Sequence, residues 1–171
     1  MHPLNGHNKK LLKKYHEDSS REINIPRTCN CRAPRSCPLD GNCLQKDILY
    51  NGKCTAENEP SKDYIGLTAT TFKERFGTHK QSFTHRKHSH STTLSSHFWN
   101  LKDSGKNPSV KFSIIRHVKS YTPETGKCPL CTQEKLLILK TDPATITNTR
   151  SELMSHCLHK RRFLLQNYEN G

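Results

Sequence analysis

Apolar residues along the chain come in short runs whose spacing alternates between the period of a strand and that of a helix. Ile48-Leu49-Tyr50 and Tyr64-Ile65-Gly66-Leu67 are β-prone, with Asn51-Gly52 and a polar stretch from Glu57 to Lys62 between them. They predict an antiparallel hairpin. Thr71-Phe72-Lys73-Glu74 has the form of a capping box, and Phe72, Phe76, His79 and Phe83 then recur at helical spacing. A helix should therefore leave the second strand almost at once, with Arg75 and His79 four apart on one side of it. Leu94, Phe98 and Leu101 predict a second helix ending near Gly105, and Val110, Phe112 and Ile114 alternate as a third strand. Glu134 to Leu139 reads as a third helix following Cys128-Pro129-Leu130-Cys131. Ser151, Leu153, Met154, Leu158 and Leu165 suggest a last helix that would carry Cys157 and His159. The sum is an α+β domain over residues 47–168, a small three-stranded antiparallel sheet flanked by helices.

Two stretches ahead of that domain carry no such period. Residues 1–26, with Lys9, Lys10, Lys13 and Lys14, read as a basic arm or linker, with a short basic helix as the alternative. Residues 27–46 hold Cys29, Cys31, Cys37 and Cys43 with Pro34, Pro38 and Gly41 among them, which is the make-up of a knuckle.

Charge narrows the partner. The chain has 28 Lys+Arg against 15 Asp+Glu, a formal +13, which suits a polyanion, and nucleic acid is the first candidate. A membrane surface is the rival polyanion, but no apolar run approaches the roughly 18 residues of a spanning helix, and the N-terminus lacks the apolar core of a signal peptide. We therefore expect an intracellular, nuclear protein with no membrane partner.

With eight cysteines in such a chain, short spacings favour metal over disulfides. A secreted disulfide scaffold is the competing reading. Cys29, Cys31, Cys37 and Cys43 form a Cys-x-Cys-x5-Cys-x5-Cys set, enough for one tetrahedral Zn²⁺, though unlike the common paired ribbons. Cys128-x-x-Cys131 is the commoner form, and Cys157-x-His159 completes a second, Cys3His site. His156 competes with His159 for that role, and an unmetallated, reduced pair of cysteines remains open. We expect the second site to be needed for the fold and the first to affect mainly DNA affinity or placement.

The order of these features resembles the GIY-YIG nuclease superfamily: two tyrosine-bearing strands, the second reading Tyr64-Ile65-Gly66-Leu67-Thr68, then Arg75 and His79 on a helix, then a late Glu and Asn. The wider run is similar to the C-terminal nuclease module of Penelope-like retroelements over about residues 27 to 165. The segments that carry it are Cys29-Asn30-Cys31, Tyr64 to Arg75, Leu94 to Lys102, Cys128 to Leu136, and Arg150 to Leu153 with Cys157. His7 to Leu12 resembles the stretch joining such a nuclease to an upstream reverse transcriptase. The first motif departs from the family, with Ile48 where its name has Gly, and the tyrosines stand fourteen positions apart.

The resemblance implies a Mg²⁺- or Mn²⁺-dependent DNA endonuclease that nicks one strand at a time, with DNA, element RNA or a reverse transcriptase domain as partners. It makes Tyr50 and Tyr64 the paired tyrosines, Arg75 the phosphate-binding arginine, His79 its neighbour, Glu134 the metal carboxylate and Asn148 a supporting polar residue. The residue types suit the work. Phosphodiester hydrolysis needs an activated water and a cation on the developing charge. Glu134 offers Mg²⁺ a hard oxygen, Arg75 a planar fork to two phosphate oxygens, and either tyrosine a proton relay. The alternatives are a decayed nuclease that keeps zinc and charge as a nucleic-acid-binding module, and a structural interaction protein with a basic tail.

Overall fold

The computed structural model describes residues 28–154 and 156–159; the expected basic arm and Leu165 lie outside them. Its architecture is α+β, as the pattern of the chain predicts. Strands β1 (Ile48–Thr55), β2 (Lys62–Thr68) and β3 (Ser109–His117) form one antiparallel sheet in the order β2-β1-β3. Helices α1 (Phe72–Thr84) and α2 (Thr93–Asp103) lie between β2 and β3 in sequence, and α3 (Pro129–Lys140) follows β3.

Alternation along the strands sorts the two faces of the sheet. Ile48, Tyr50 and Cys54 of β1, Tyr64 of β2 and Phe112 of β3 share a core with Phe72 of α1 and with Leu94 and Leu101 of α2. The opposite face presents Leu49, Leu67 and Ile115 to Leu130 and Leu137 of α3. The molecule is thus helix, sheet, helix, and β2 is an edge strand with a helix on either side of it.

Asn51-Gly52, expected to break the first run, lies inside β1, where Asn51 pairs with Ile65 and Gly52 with Tyr64. The turn falls later, between Thr55 and Lys62. Gly66 pairs with Tyr50, and a Cβ there would come within 2.5 Å of the Tyr50 ring, so β2 can pass that ring only with glycine at this point. The pairing of β1 with β3 shifts register between Leu49 and Tyr50. With Tyr50 opposite Ile114 and Leu49 opposite Arg116, Ile115 becomes the extra residue of a bulge.

Two expectations are corrected. The third helix begins at Pro129, with Cys128 as its N-cap, five residues earlier than the apolar run shows. Proline at the first helical position is pre-set for a helix start, so the cysteine motif and the helix are one element. No α-helix carries Cys157: a five-residue 3-10 turn, Arg150–Met154, comes first, and Cys157 and Leu158 after it are not helical. The knuckle, for its part, is joined to the rest, since Leu39 belongs to the same core as Tyr50 and Phe72.

Candidate functional site

Tyr50, in the middle strand, has its side chain completely buried and its hydroxyl bonded twice. Arg75 Nε donates to the Tyr50 oxygen at 2.9 Å, and His79 Nε2 lies 2.8 Å from the same oxygen. Proton accounting orders this chain. Of the two partners of the Tyr50 hydroxyl only His79 Nε2 can accept its proton, so that bond is assigned as Tyr50 donating to a neutral imidazole with hydrogen on Nδ1. Burial, then the Arg75 charge, depresses His79 to about 3, so it is neutral at physiological pH. Its Nδ1 has no partner among the described residues. With 1% exposure and rings of Phe83 and Phe112 against it, His79 sits beneath the site. It orients Tyr50, which orients Arg75.

Tyr64 lies beside this pair, its ring centroid 6.4 Å from that of Tyr50 and 5.9 Å from that of His79, and the Arg75 charge acts on both hydroxyls. Burial raises both tyrosine hydroxyls, with the Arg75 charge opposing the rise. Arg75 emerges from this packing into a cleft of about 460 Å³, whose wall includes Thr68, Thr70, Thr78 and His159. An adjoining cavity of about 270 Å³ shares Arg75 and adds Glu134, Cys131 and His156. Glu134 comes from α3, on the opposite side of the sheet, and lines this second cavity together with Arg75. Burial, then the charge of Glu152, pushes Glu134 up to about 7, against the pull of Arg75 and Lys135. A half-buried carboxyl held above its ordinary range is one that a divalent cation would stabilise as the anion.

Asn148, expected in the catalytic set, lines neither cavity. Its Oδ1 accepts from Ile65 N at 2.7 Å and its Nδ2 donates to Ile65 O at 2.9 Å, so the side chain pairs with β2 as a strand backbone would. The chain before it does the same, through Asp63 N to Thr145 O and Thr147 N to Asp63 O. Asn148 closes the edge of β2 behind the site and supports Tyr64 and Gly66. The same amide donates to Glu152 Oε2 at 2.7 Å, and Thr93 Oγ1 of α2 donates to Glu152 Oε1 at 3.1 Å. Glu152 is thus a second carboxylate near Glu134, and sequence reasoning passed over it. Its signal was the four-residue spacing from Asn148.

Both cysteine clusters assemble. Cys29, Cys31, Cys37 and Cys43 bring their sulfurs within 4.8 Å of one another, as Cys128, Cys131, Cys157 and His159 do their ligand atoms. Distances test the fit. Zn–S bonds of about 2.3 Å in a tetrahedron set sulfurs about 3.8 Å apart; Cys31 and Cys43 stand at 3.7 Å and Cys43 and Cys29 at 3.6 Å. With a Zn–N bond of about 2.0 Å, the sulfur to nitrogen edge becomes about 3.5 Å. His159 Nδ1 lies 3.3 Å from Cys128 and Cys131 and 3.7 Å from Cys157. His159 occupies the fourth position, and all eight thiols are free of disulfides. Either cluster can hold a zinc-like ion. Cys37 is prepared for it: burial opposes, but backbone N–H groups of Leu39, Gly41 and Cys43 bring its thiol down to about 6. No helix among the described residues is long and apolar enough to cross a membrane. No family model, curated protein or solved structure matches this chain, so the functional reading rests on its own residues.

Proposed function

We propose that the chain is a divalent-metal-dependent DNA endonuclease of the GIY-YIG type, most similar in its motifs to the nuclease module of Penelope-like retroelements. The observation that carries this reading is the convergence of Arg75, oriented by the Tyr50–His79 pair, with the Glu134 carboxyl in one cleft at the edge of β2. Arg75 uses its Nε on Tyr50, which leaves the other N–H groups of a planar fork for two oxygens of a phosphate. Thr68, Thr70 and Thr78 add hydroxyls along the same wall. Glu134 is the residue that would hold Mg²⁺ or Mn²⁺; when bound, that ion would supply Lewis-acid polarisation of the phosphate and a more acidic water. Tyr64, 7% exposed where Tyr50 is fully buried, is the better placed of the two to pass a proton.

Affinity on this reading comes from charge. The formal +13 supports binding to DNA that is mainly electrostatic and weakly selective, with element RNA or a reverse transcriptase domain as further partners and the nucleus as the working compartment. The test is conversion of supercoiled to nicked plasmid with Mg²⁺, repeated with EDTA. Arg75→Lys and Glu134→Ala should each lower nicking by about a hundredfold or more while duplex affinity changes little, since a developing charge loses its fixed donor or cation. Nicking by either variant at the wild-type rate removes that residue from the mechanism. A wild-type protein that binds DNA and never nicks it leaves the zinc-held binding module as the function.

A further inference from the structure

The first helical N–H groups of an α-helix have no partner within it and must find one elsewhere. In α1 the cysteine knuckle supplies them. Phe72 N donates to Gln45 O at 2.9 Å and Lys73 N to Cys43 O at 2.7 Å. Lys73 Nζ also reaches Asn30 Oδ1, between two of the cluster's cysteines. Leu39, between Cys37 and Cys43, sits in the core beside Phe72. Arg75 follows two residues after Lys73 and completes that turn through Arg75 N to Thr71 O at 3.3 Å. Cys43 therefore has two attachments: its sulfur lies in the thiol cluster and its carbonyl holds the helix that carries Arg75.

We infer that the Cys29, Cys31, Cys37 and Cys43 cluster, when it binds metal, is a positioning clamp for Arg75, acting through the carbonyls of Cys43 and Gln45 on the first turn of α1. This rests on the nuclease reading for its effect on rate, though its structural half stands without it. The segment from residue 28 to 46 contains one three-residue 3-10 turn, Pro34–Ser36, and no strand; besides the thiols, a few turn hydrogen bonds and the buried Leu39 hold its carbonyls. Metal binding in such a segment is its folding free energy. Loss of the ion frees the two carbonyls, the first turn of α1 frays, and the guanidinium loses its bearing on Tyr50. The lesion is in turnover, where a knuckle that only touched DNA would weaken binding.

The experiment compares full-length wild-type protein with a Cys29→Ser, Cys31→Ser double variant, both purified reduced with zinc present. Zinc content, duplex affinity, the kcat and KM of nicking, and amide hydrogen exchange are measured on each. We expect one zinc fewer, exchange at Phe72 and Lys73 faster by about tenfold or more with β1 and β3 still protected, and unchanged affinity. Turnover should drop by about tenfold with KM held. Lys73→Ala, which removes only the link to Asn30, should show a smaller change of the same kind. Unchanged exchange at Phe72 and Lys73 after zinc is lost overturns the clamp, and so does a rise in KM with kcat intact. Protection lost through β1 and β3 also overturns it, because the cluster would then hold the whole fold. If wild-type protein does not nick at all, the nuclease reading fails while the exchange comparison still decides the clamp.

Discussion

The two cysteine clusters stand at the starts of the two helices that carry the candidate site, yet they act on those helices differently. The first lies ahead of α1, where the carbonyls of Cys43 and Gln45 accept from the N–H groups of Lys73 and Phe72, three residues or fewer before Arg75. The second is built into α3 itself: Cys128 is its N-cap, Cys131 lies in its first turn, and Glu134 follows on the next. One cluster aims a side chain from behind. The other closes over the front, since His159, one of its ligands, forms part of the cleft wall with Leu158. Neither helix starts with a strong side-chain cap beyond Thr71, and each has at its start a cluster able to hold a metal ion.

The sharpest way to break this comparison is to remove a ligand from the second cluster. Cys131→Ser should release the segment from Cys157 to His159 and expose Leu49 and Leu130, which pack beneath it. We expect a loss of about 3 kcal/mol or more in stability, the larger of the two clusters' effects, read by denaturant unfolding with zinc quantified alongside. A variant as stable as wild type would make the second site dispensable. Next in size is Asn148→Ala, which leaves Ile65 N–H and C=O unpaired beneath Leu153 and Ile138. The cost should be about 2 kcal/mol, with Asn148→Asp no better because it loses both donated bonds.

Acid separates the two sides of the site with opposite signs. His79 binds its proton near 3 when folded and near 6.5 when unfolded, so the unfolded state gains protons first as pH falls. Stability should decline from pH 6.5 downward, by about 2 kcal/mol at pH 5, and His79→Phe should flatten that limb of the unfolding profile. Glu134 titrates near 7 when folded and 4.5 as its ordinary value, so stability is fully present below 4.5 and declines as pH rises through 7. Without divalent cation, Glu134→Gln should stabilise the protein at pH 8 by about 1 kcal/mol, since half exposure screens the buried charge. A destabilised Glu134→Gln protein would mean that the carboxylate is already paired when folded.

Period located the strands and the helices α1 and α2, while the resemblance singled out Tyr50, Tyr64 and Arg75, which the fold brings together. What it missed has physical causes. Asn51-Gly52 looks like a turn because its local propensity is that of a turn, and tertiary pairing with Ile65 and Tyr64 overrides it. Cys128-Pro129 looks like the end of a loop because nothing apolar marks the helix start. Cys157 and His159 were legible as candidate ligands, but the break of helix at Cys157 and Leu158, before His159 is helical again, was not, since leucines at helical spacing run across it. Asn148 as a strand mimic depends on a contact with Ile65, 83 residues away in sequence, and the bond from Thr93 to Glu152 spans 59, both beyond any local period.

The closed edge of β2 bears on how the protein meets others. A sheet in the order β2-β1-β3 has two rims at which a foreign strand can add. On β2, Thr145 to Asn148 already take the main-chain bonds at Asp63 and Ile65, so self-association by strand exchange is blocked at the rim that the candidate site occupies. The rim left to β3 carries exposed Lys111, Arg116 and His117, which repel a second copy of the same strand. The sheet is therefore guarded against fibrous growth by occupancy on one side and by like charge on the other.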